Sequence, residues 1–326
     1  MRYTKIGKTD INASVIALGT WGMAGDSNWG PCDDEQSIRI IHQAMDMGIN
    51  LIDTAPAYGF YHSEKVLGKA ITGRRDKVFI STKCGLRWDS DEGFIHKQRD
   101  GLTLRRNLTP ASIREEIERS LKALNTDYID LYITHWQTVA GYEPPNSVTM
   151  EALCSLKKEG KIRGIGLANA DAADIKEYTK HGTVDLIQNK YSMLDRDEQR
   201  EILELCKSNG ITFQPYSALE KGILGGKITV DTETDNGARA GNKWYERENR
   251  EKIIVMLEKM KPLCDKYSCS LSGIVLAWTL QQTDNMVVLC GSRKLGQVEE
   301  NAAAADILLD ASDLSKIDEY LRVLLN

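Results

Sequence analysis

The seven cysteines, Cys32, Cys84, Cys154, Cys206, Cys264, Cys269 and Cys290, contain no C-x-x-C pair. An odd set scattered through a long chain is neither a disulfide framework nor a zinc-binding spacing, so it reads as reduced thiols with no metal centre. Also missing is any apolar run near the roughly 20 residues that cross a bilayer as a helix. The opening Met1-Arg2-Tyr3-Thr4-Lys5 carries no apolar secretory core. Both absences predict a cytoplasmic protein without a membrane partner. Cationic excess is lacking too: the formal net charge is −5 and the basic residues are dispersed, which speaks against nucleic acid. Nor are G-x-S-x-G, H-E-x-x-H or G-x-x-x-x-G-K-[ST] present, so serine hydrolase, zinc protease and nucleoside triphosphatase chemistry are not signalled.

What is present is a rhythm. Residues 1 to 12 set Gly7-Lys8-Thr9-Asp10 between two short extended pieces, a hairpin signal, and Val15 to Leu18 follows as a strand. Helical spacing then appears over Asp34 to Met47, with Ile38, Ile41, Ala44 and Met45 on one face, and over Ser63 to Ala70. Thr109-Pro110-Ala111-Ser112 puts a capping hydroxyl before a first-turn proline, ahead of Ile113, Ile117, Leu121 and Leu124. Strands at 162 to 167, 184 to 188, 211 to 216 and 286 to 290 alternate with helices near 147 to 159, 171 to 180, 197 to 208, 248 to 267, 270 to 282, 295 to 305 and 312 to 324. Eight strands each followed by a helix predict an α/β fold, a closed (β/α)8 TIM barrel built from residues 1–326 as one domain. Two long insertions, 84 to 108 and 217 to about 247, follow barrel strands and so emerge as long loops on the C-terminal face.

The strand ends carry the chemistry. Leu51-Ile52 stops on Asp53, and Tyr58 follows five residues later; Val78 to Thr82 delivers Lys83; Tyr128 to Thr134 delivers His135. Parallel neighbours share one rim, which brings the four together. A lone strand-end His is more often structural, and a lone Asp and Lys more often an ion pair; the set in this order favours catalysis. A phenol at Tyr58 close to the Lys83 ammonium, which Asp53 keeps charged, is expected to have its pKa lowered toward working pH. Schiff-base chemistry at Lys83 would need an uncharged amine, which Asp53 opposes.

The order Asp53, Tyr58, Lys83, His135 resembles the aldo-keto reductase superfamily. Gly19-Thr20-Trp21-Gly22, Asp53 to Gly59, Tyr128 to Tyr132, Gly160 to Gly166, Gln214-Pro215-Tyr216-Ser217 and Gln297 to Asn301 resemble its blocks in the same order. The resemblance implies reduction of a carbonyl, which needs a hydride from a cofactor and a proton from the protein, with Tyr58 as the expected proton donor and His135 placed to bond the substrate oxygen. It also implies that the hairpin closes the barrel bottom and that the cofactor is NADP(H). It implies that Gly19, Thr20, Trp21 and Asp53 border the cofactor, that Asn169 and Gln188 bond the nicotinamide amide, and that Tyr216 stacks on its ring. Ala168 stands where the family usually has Ser. Ser217, Leu219, Gly222 and Leu224 then correspond to the pyrophosphate loop, and Gly291, Ser292, Arg293, Gln297, Glu300 and Asn301 to the adenosine end. Gly164-Ile165-Gly166 lacks the third glycine of a dinucleotide fingerprint, which excludes a doubly wound sheet.

The substrate expected is a small carbonyl compound or sugar, against a pocket of Trp21, Tyr58, Trp88, His135 and Trp136. In the 84 to 108 loop the basic residues are nearly balanced by acidic ones, so the loop reads as a pocket wall with Trp88 nearest the site rather than an anion clamp. The competing reading is a cofactor-binding regulatory subunit of the same fold. Substrate identity, direction and oligomeric state, a homo-oligomer included, stay open at this level.

Overall fold

The computed structural model describes residues 1–325 except 143, 197–199 and 235. The chain opens with the hairpin β1 (Tyr3–Lys5) and β2 (Asn12–Ser14), paired Tyr3 to Ser14. There follow β3 (Ile16–Gly19), α1 (Asp34–Asp46), β4 (Leu51–Asp53), α2 (His62–Ala70) and β5 (Phe79–Cys84). An excursion, β6 (Leu86–Arg87), β7 (Phe94–Arg99) and β8 (Leu102–Arg106), precedes α3 (Pro110–Leu124) and β9 (Ile129–Thr134). The alternation resumes with α4 (Asn146–Lys158), β10 (Ile162–Ala168), α5 (Ala172–His181), β11 (Leu186–Lys190), α6 (Arg200–Asn209) and β12 (Thr212–Tyr216). It ends with α7 (Arg247–Tyr267), α8 (Leu271–Leu280), β13 (Val288–Gly291), α9 (Leu295–Ala303) and α10 (Ala311–Leu325). The helix predicted at 197 to 208 is seen from Arg200; its first three residues lie outside those described.

Eight parallel strands run in the order β12-β11-β10-β9-β5-β4-β3-β13, and a parallel bridge from Phe213 to Met286 joins the two ends into a barrel. Inside it Ala17, Leu51, Leu131, Ile133, Leu186 and Val287 form their own apolar cluster, separate from the larger one between strands and helices. The hairpin completes the inner cluster: Ile6 and Ile11, both fully buried, plug the N-terminal end of the barrel. Gly7 makes this possible. Its φ is +48° and a Cβ there would stand 2.5 Å from the Asp185 carbonyl oxygen.

Local signals explain the helices. Asp33 caps α1 by accepting from the amides of Glu35 and Gln36, and Thr109 caps α3 ahead of Pro110. The first insertion differs from the irregular loop expected. It folds into a three-stranded antiparallel sheet, β6-β8-β7, because Asp100-Gly101, both at positive φ, make a two-residue turn that pairs Arg99 with Leu102.

Between the barrel wall and α2, Glu64 is fully buried; one carboxylate oxygen accepts from Thr82 Oγ1 at 2.6 Å, and Ser120 is the other hydroxyl beside the carboxylate. Burial raises its pKa to about 7. The native state therefore binds more protons than the unfolded chain, whose glutamates titrate near 4.3, so this group's stabilisation is complete in acid and is lost as pH rises toward 7. Urea unfolding of wild type and Glu64→Gln at pH 5 and pH 8 should show the variant gaining relative stability at the higher pH, by on the order of 3 kcal/mol in the limit. A difference independent of pH would contradict a buried, proton-holding Glu64.

Candidate active site

Asp53 ends β4, Lys83 lies one residue from the end of β5, and His135 directly follows β9. The strands are hydrogen-bonded neighbours, Asp53 level with Ser81 and Lys83 level with Ile133, so the three residues share one rim. Lys83 and Asp53 are each 1% exposed. The ammonium donates to Asp53 Oδ2 at 2.7 Å and to the Thr54 carbonyl at 2.8 Å. The other carboxylate oxygen accepts from Ser81 Oγ at 2.9 Å and Gln188 Nε2 at 2.8 Å, and Gln188 Nε2 also donates to Gln214 Oε1 at 2.8 Å. A buried ion pair is tolerable only when its remaining hydrogen-bonding capacity is filled in this way.

Tyr58 lies over this pair. Its ring centroid is 4.9 Å from Lys83 Nζ, and its edge meets the His135 imidazole at 6.0 Å and 84°. The expectation that Lys83 lowers the phenol is not met. Burial pushes the Tyr58 pKa well up, the Asp53 carboxylate pushes it further, and Arg99 is the cation that pulls it down. Desolvation outweighs the nearby charge, and the phenol keeps its proton. Burial likewise lowers Lys83, against the opposing pull of Asp53, and drives His135 well below the ordinary histidine range, with Lys83 adding to the effect. The imidazole is therefore neutral at physiological pH.

The aromatic wall is divided. Trp21 stacks on Tyr58 at 6.2 Å and meets Trp29 edge-on at 5.5 Å. Trp88 packs instead on Phe60 and Tyr61, and Trp136 on His96 and the Arg106 guanidinium. Trp21, rather than Trp88, is the tryptophan in ring contact with Tyr58. Arg99, on β7, donates to the Ala57 carbonyl, lies 3.7 Å from Asp26 and stacks over Phe60 at 4.8 Å, so it ties the β6-β8-β7 sheet to the turn that carries Tyr58.

The residues matched to cofactor binding line one continuous part of the rim. Gly19 pairs with Asp53 on one side and Gly291 on the other, and a Cβ on Gly291 would meet nothing nearer than the Gly19 carbonyl at 3.7 Å, which leaves a shallow cradle. Asn169, at φ +54°, accepts from Tyr216 Oη at 2.6 Å and donates to the His135 carbonyl. Ser217, Lys221 and Gly222 have positive φ in a tight turn whose Glu220, Gly222 and Leu224 amides donate to the Ser217 and Leu219 carbonyls, while Leu219 is half-buried and Leu224 is fully packed inside. Gln297 accepts from the amides of Arg293 and Lys294, Asn301 donates to Ser292, and Glu300 pairs with Lys227 at 2.7 Å, tying the 217–247 segment to α9. Arg293 lies exposed above Gly22, its guanidinium on the Pro31 carbonyl at 3.2 Å. Three residues are engaged within the protein: the buried Thr20 hydroxyl bonds Ser63 and the Asp53 carbonyl, Gln188 serves Asp53, and both ends of the Asn169 amide are taken by Tyr216 and His135. The open cradle at Gly19 and Gly291, with the exposed Arg293 guanidinium beside it, has the room and the charge to fit a dinucleotide.

A closed barrel with a lysine–carboxylate pair, a tyrosine and a neutral histidine at its C-terminal mouth defines a class, the barrel oxidoreductases. The family model described as Aldo/keto reductase family matches residues 15–322, and the chain belongs to that family. It is 45% identical to the NADH-specific methylglyoxal reductase of Escherichia coli over 99% of both chains, and 36% identical to the aldo-keto reductase YhdN of Bacillus subtilis over 98% of this chain and 94% of the relative. Among solved structures it is similar to the glycerol dehydrogenase of Gluconobacter oxydans, with TM-score 0.89 and 31% identity over 99% of this chain and 96% of the other.

Sequence reasoning missed Ser81, Gln214 and Arg99. Ser81 was detectable, two residues before Lys83 and so on the same face of β5, and Gln214 faces Gln188 in register across β11 and β12. Replacing Asp53 by Asn leaves the Lys83 ammonium buried without a counter-charge, which should cost about 3–5 kcal/mol in urea unfolding. A loss below about 1 kcal/mol would place the pair among ordinary surface bridges.

Proposed function

We propose that this chain is an NADP(H)-dependent oxidoreductase that interconverts a small aldehyde, ketone or sugar carbonyl with its alcohol, with Tyr58 as proton donor and acceptor. The observation that carries the reading is the arrangement of Tyr58 over the Lys83–Asp53 pair with His135 at its edge. A nicotinamide, when bound at this rim, would supply or take the hydride. Tyr58, protonated at working pH, gives its hydroxyl proton to the oxygen that develops negative charge. Lys83 stabilises the phenolate left behind, and Asp53, fixed by Ser81 and Gln188, holds Lys83 in place. The neutral imidazole of His135 hydrogen-bonds the carbonyl oxygen and orients it. Asn169, Tyr216, the backbone of 217–222, and Gly291 to Asn301 would hold the dinucleotide. Trp21 shields the reacting centre from one side. That a relative's name specifies methylglyoxal supports a small reactive aldehyde as substrate.

Cofactor absorbance with a panel of aldehydes, ketones and sugars tests this. Wild type should turn over at least one of them, and Tyr58→Phe should lose about 10²–10⁴-fold in kcat while keeping its cofactor affinity. A variant retaining a third or more of wild-type turnover, with chemistry limiting, would remove Tyr58 from the reaction. Silence of the wild type across the panel would favour a regulatory subunit of the same fold.

The NADPH preference rests on Arg293, whose exposed guanidinium at the adenosine end suits a phosphate. A second reading, NADH, is favoured by the name of the Escherichia coli relative. Arg293→Ala separates them. If Arg293 reads the 2′-phosphate, the variant should bind NADPH about 10–150-fold more weakly and NADH nearly as before. Equal weakening of both would refute that role.

A further inference from the structure

Outside the Asp53 network, three side chains of different chemistry converge where the segment after β3 meets the starts of α1 and α2. Cys32 and Asp34 lie two residues apart at the entry to α1, and His62 opens α2. The His62 Nε2 atom is 2.8 Å from Asp34 Oδ1 and 3.8 Å from Cys32 Sγ, and all three donor atoms lie within 4.8 Å of one another. Each is partly exposed, and Cys32 and His62 line a cavity of about 490 Å³ together with Ala24, Asp26, Gly59 and Phe60.

A tetrahedral zinc ion binds thiolate at about 2.3 Å, imidazole at about 2.0–2.1 Å and carboxylate at about 2.0–2.2 Å, which sets donor separations of roughly 3.3–3.6 Å. The sulfur–imidazole distance is close to this span. The imidazole–carboxylate distance, now a hydrogen bond, has to open by about half an ångström. The Cys32 thiol donates to the Met23 carbonyl at 3.2 Å, and that weak bond is released when the sulfur ionises. The surrounding charge is close to balanced: Asp33, Asp34 and Asp26 stand against Arg293, against Arg99 at 3.7 Å from Asp26, and against Lys69, which is 3.8 Å from Asp34 and largely exposed. The N-termini of α1 and α2 oppose a cation, by a few tenths to about 1 kcal/mol each, less than a thiolate and a carboxylate contribute as direct ligands.

We propose that Cys32, Asp34 and His62 form a site for one divalent transition ion of the zinc class, with a water from the adjoining cavity as fourth ligand. The ion would tie the segment after β3 to the first turns of α1 and α2. The cysteine spacing gave no sign of this, because two of the ligands are not cysteines and one of those, His62, comes from a different helix.

The test uses the full chain, stripped with a chelator and then titrated with Co²⁺ alone and with Zn²⁺ alone. Wild type should take up one equivalent, show a thiolate-to-cobalt charge-transfer band, and melt at a higher temperature with Zn²⁺. Cys32→Ser should lose the band, and Cys32→Ser, His62→Gln and Asp34→Asn should each bind Zn²⁺ at least about tenfold more weakly. Each variant's melting without metal checks that it is folded, and if Cys32→Ser is not, the other two carry the comparison. A wild type without the band, a band that survives in Cys32→Ser, or unchanged Zn²⁺ affinity in folded His62→Gln and Asp34→Asn would overturn the site.

Discussion

Two opposite charges held out of water, Asp53 and Lys83, impose most of what surrounds them. An ammonium at 1% exposure is tolerable only beside a carboxylate, and that carboxylate only when its second oxygen is also bonded. The requirement recruits Ser81 from the lysine's own strand and Gln188 with Gln214 from across the barrel, so four strands are tied to one another by polar contacts at the mouth. Burial then acts on the neighbours in a consistent direction: it keeps the tyrosine protonated and the histidine neutral. In both, exclusion of water is the largest cause, with Asp53 adding to the first effect and Lys83 to the second.

Around this centre the chain builds its mouth from two additions. The β6-β8-β7 sheet reaches Tyr58's turn through Arg99, and the 217–247 segment leans on the segment after β3, where Ala238 donates to the Asn28 carbonyl at 2.7 Å. Its far side is held by Lys227 on Glu300. Both additions thus rest on the rim, each touching the segment after β3, at Asp26 and at Asn28, while the barrel below is held by its own two apolar layers.

The barrel was legible because its signals are local. Capping residues such as Thr109 and apolar runs such as Leu51-Ile52 act within a few positions, and strand ends bearing Asp53, Lys83 and His135 need only a parallel sheet to meet. The insertions were read less well. Asp100-Gly101 is a turn signal in plain view, yet the strands beside it mix charged and apolar residues, because one face of a small sheet at the mouth stays in solvent. The direction of the Tyr58 shift was not legible at all, since burial depends on the whole assembled rim. Gln188 illustrates the same limit: its place at a strand end was readable, its bond to Asp53 across the barrel was not.

The hairpin that carries Ile6 and Ile11 is the floor of a bore already filled by Ala17, Leu51, Leu131, Ile133, Leu186 and Val287. The Asp53–Lys83 pair is therefore walled off from below, and the face left for approaching it is the mouth on which the two insertions sit. A plug made of apolar side chains thus gives the barrel a single working end, and any change that loosens the floor would act on the mouth through the packed layers between them.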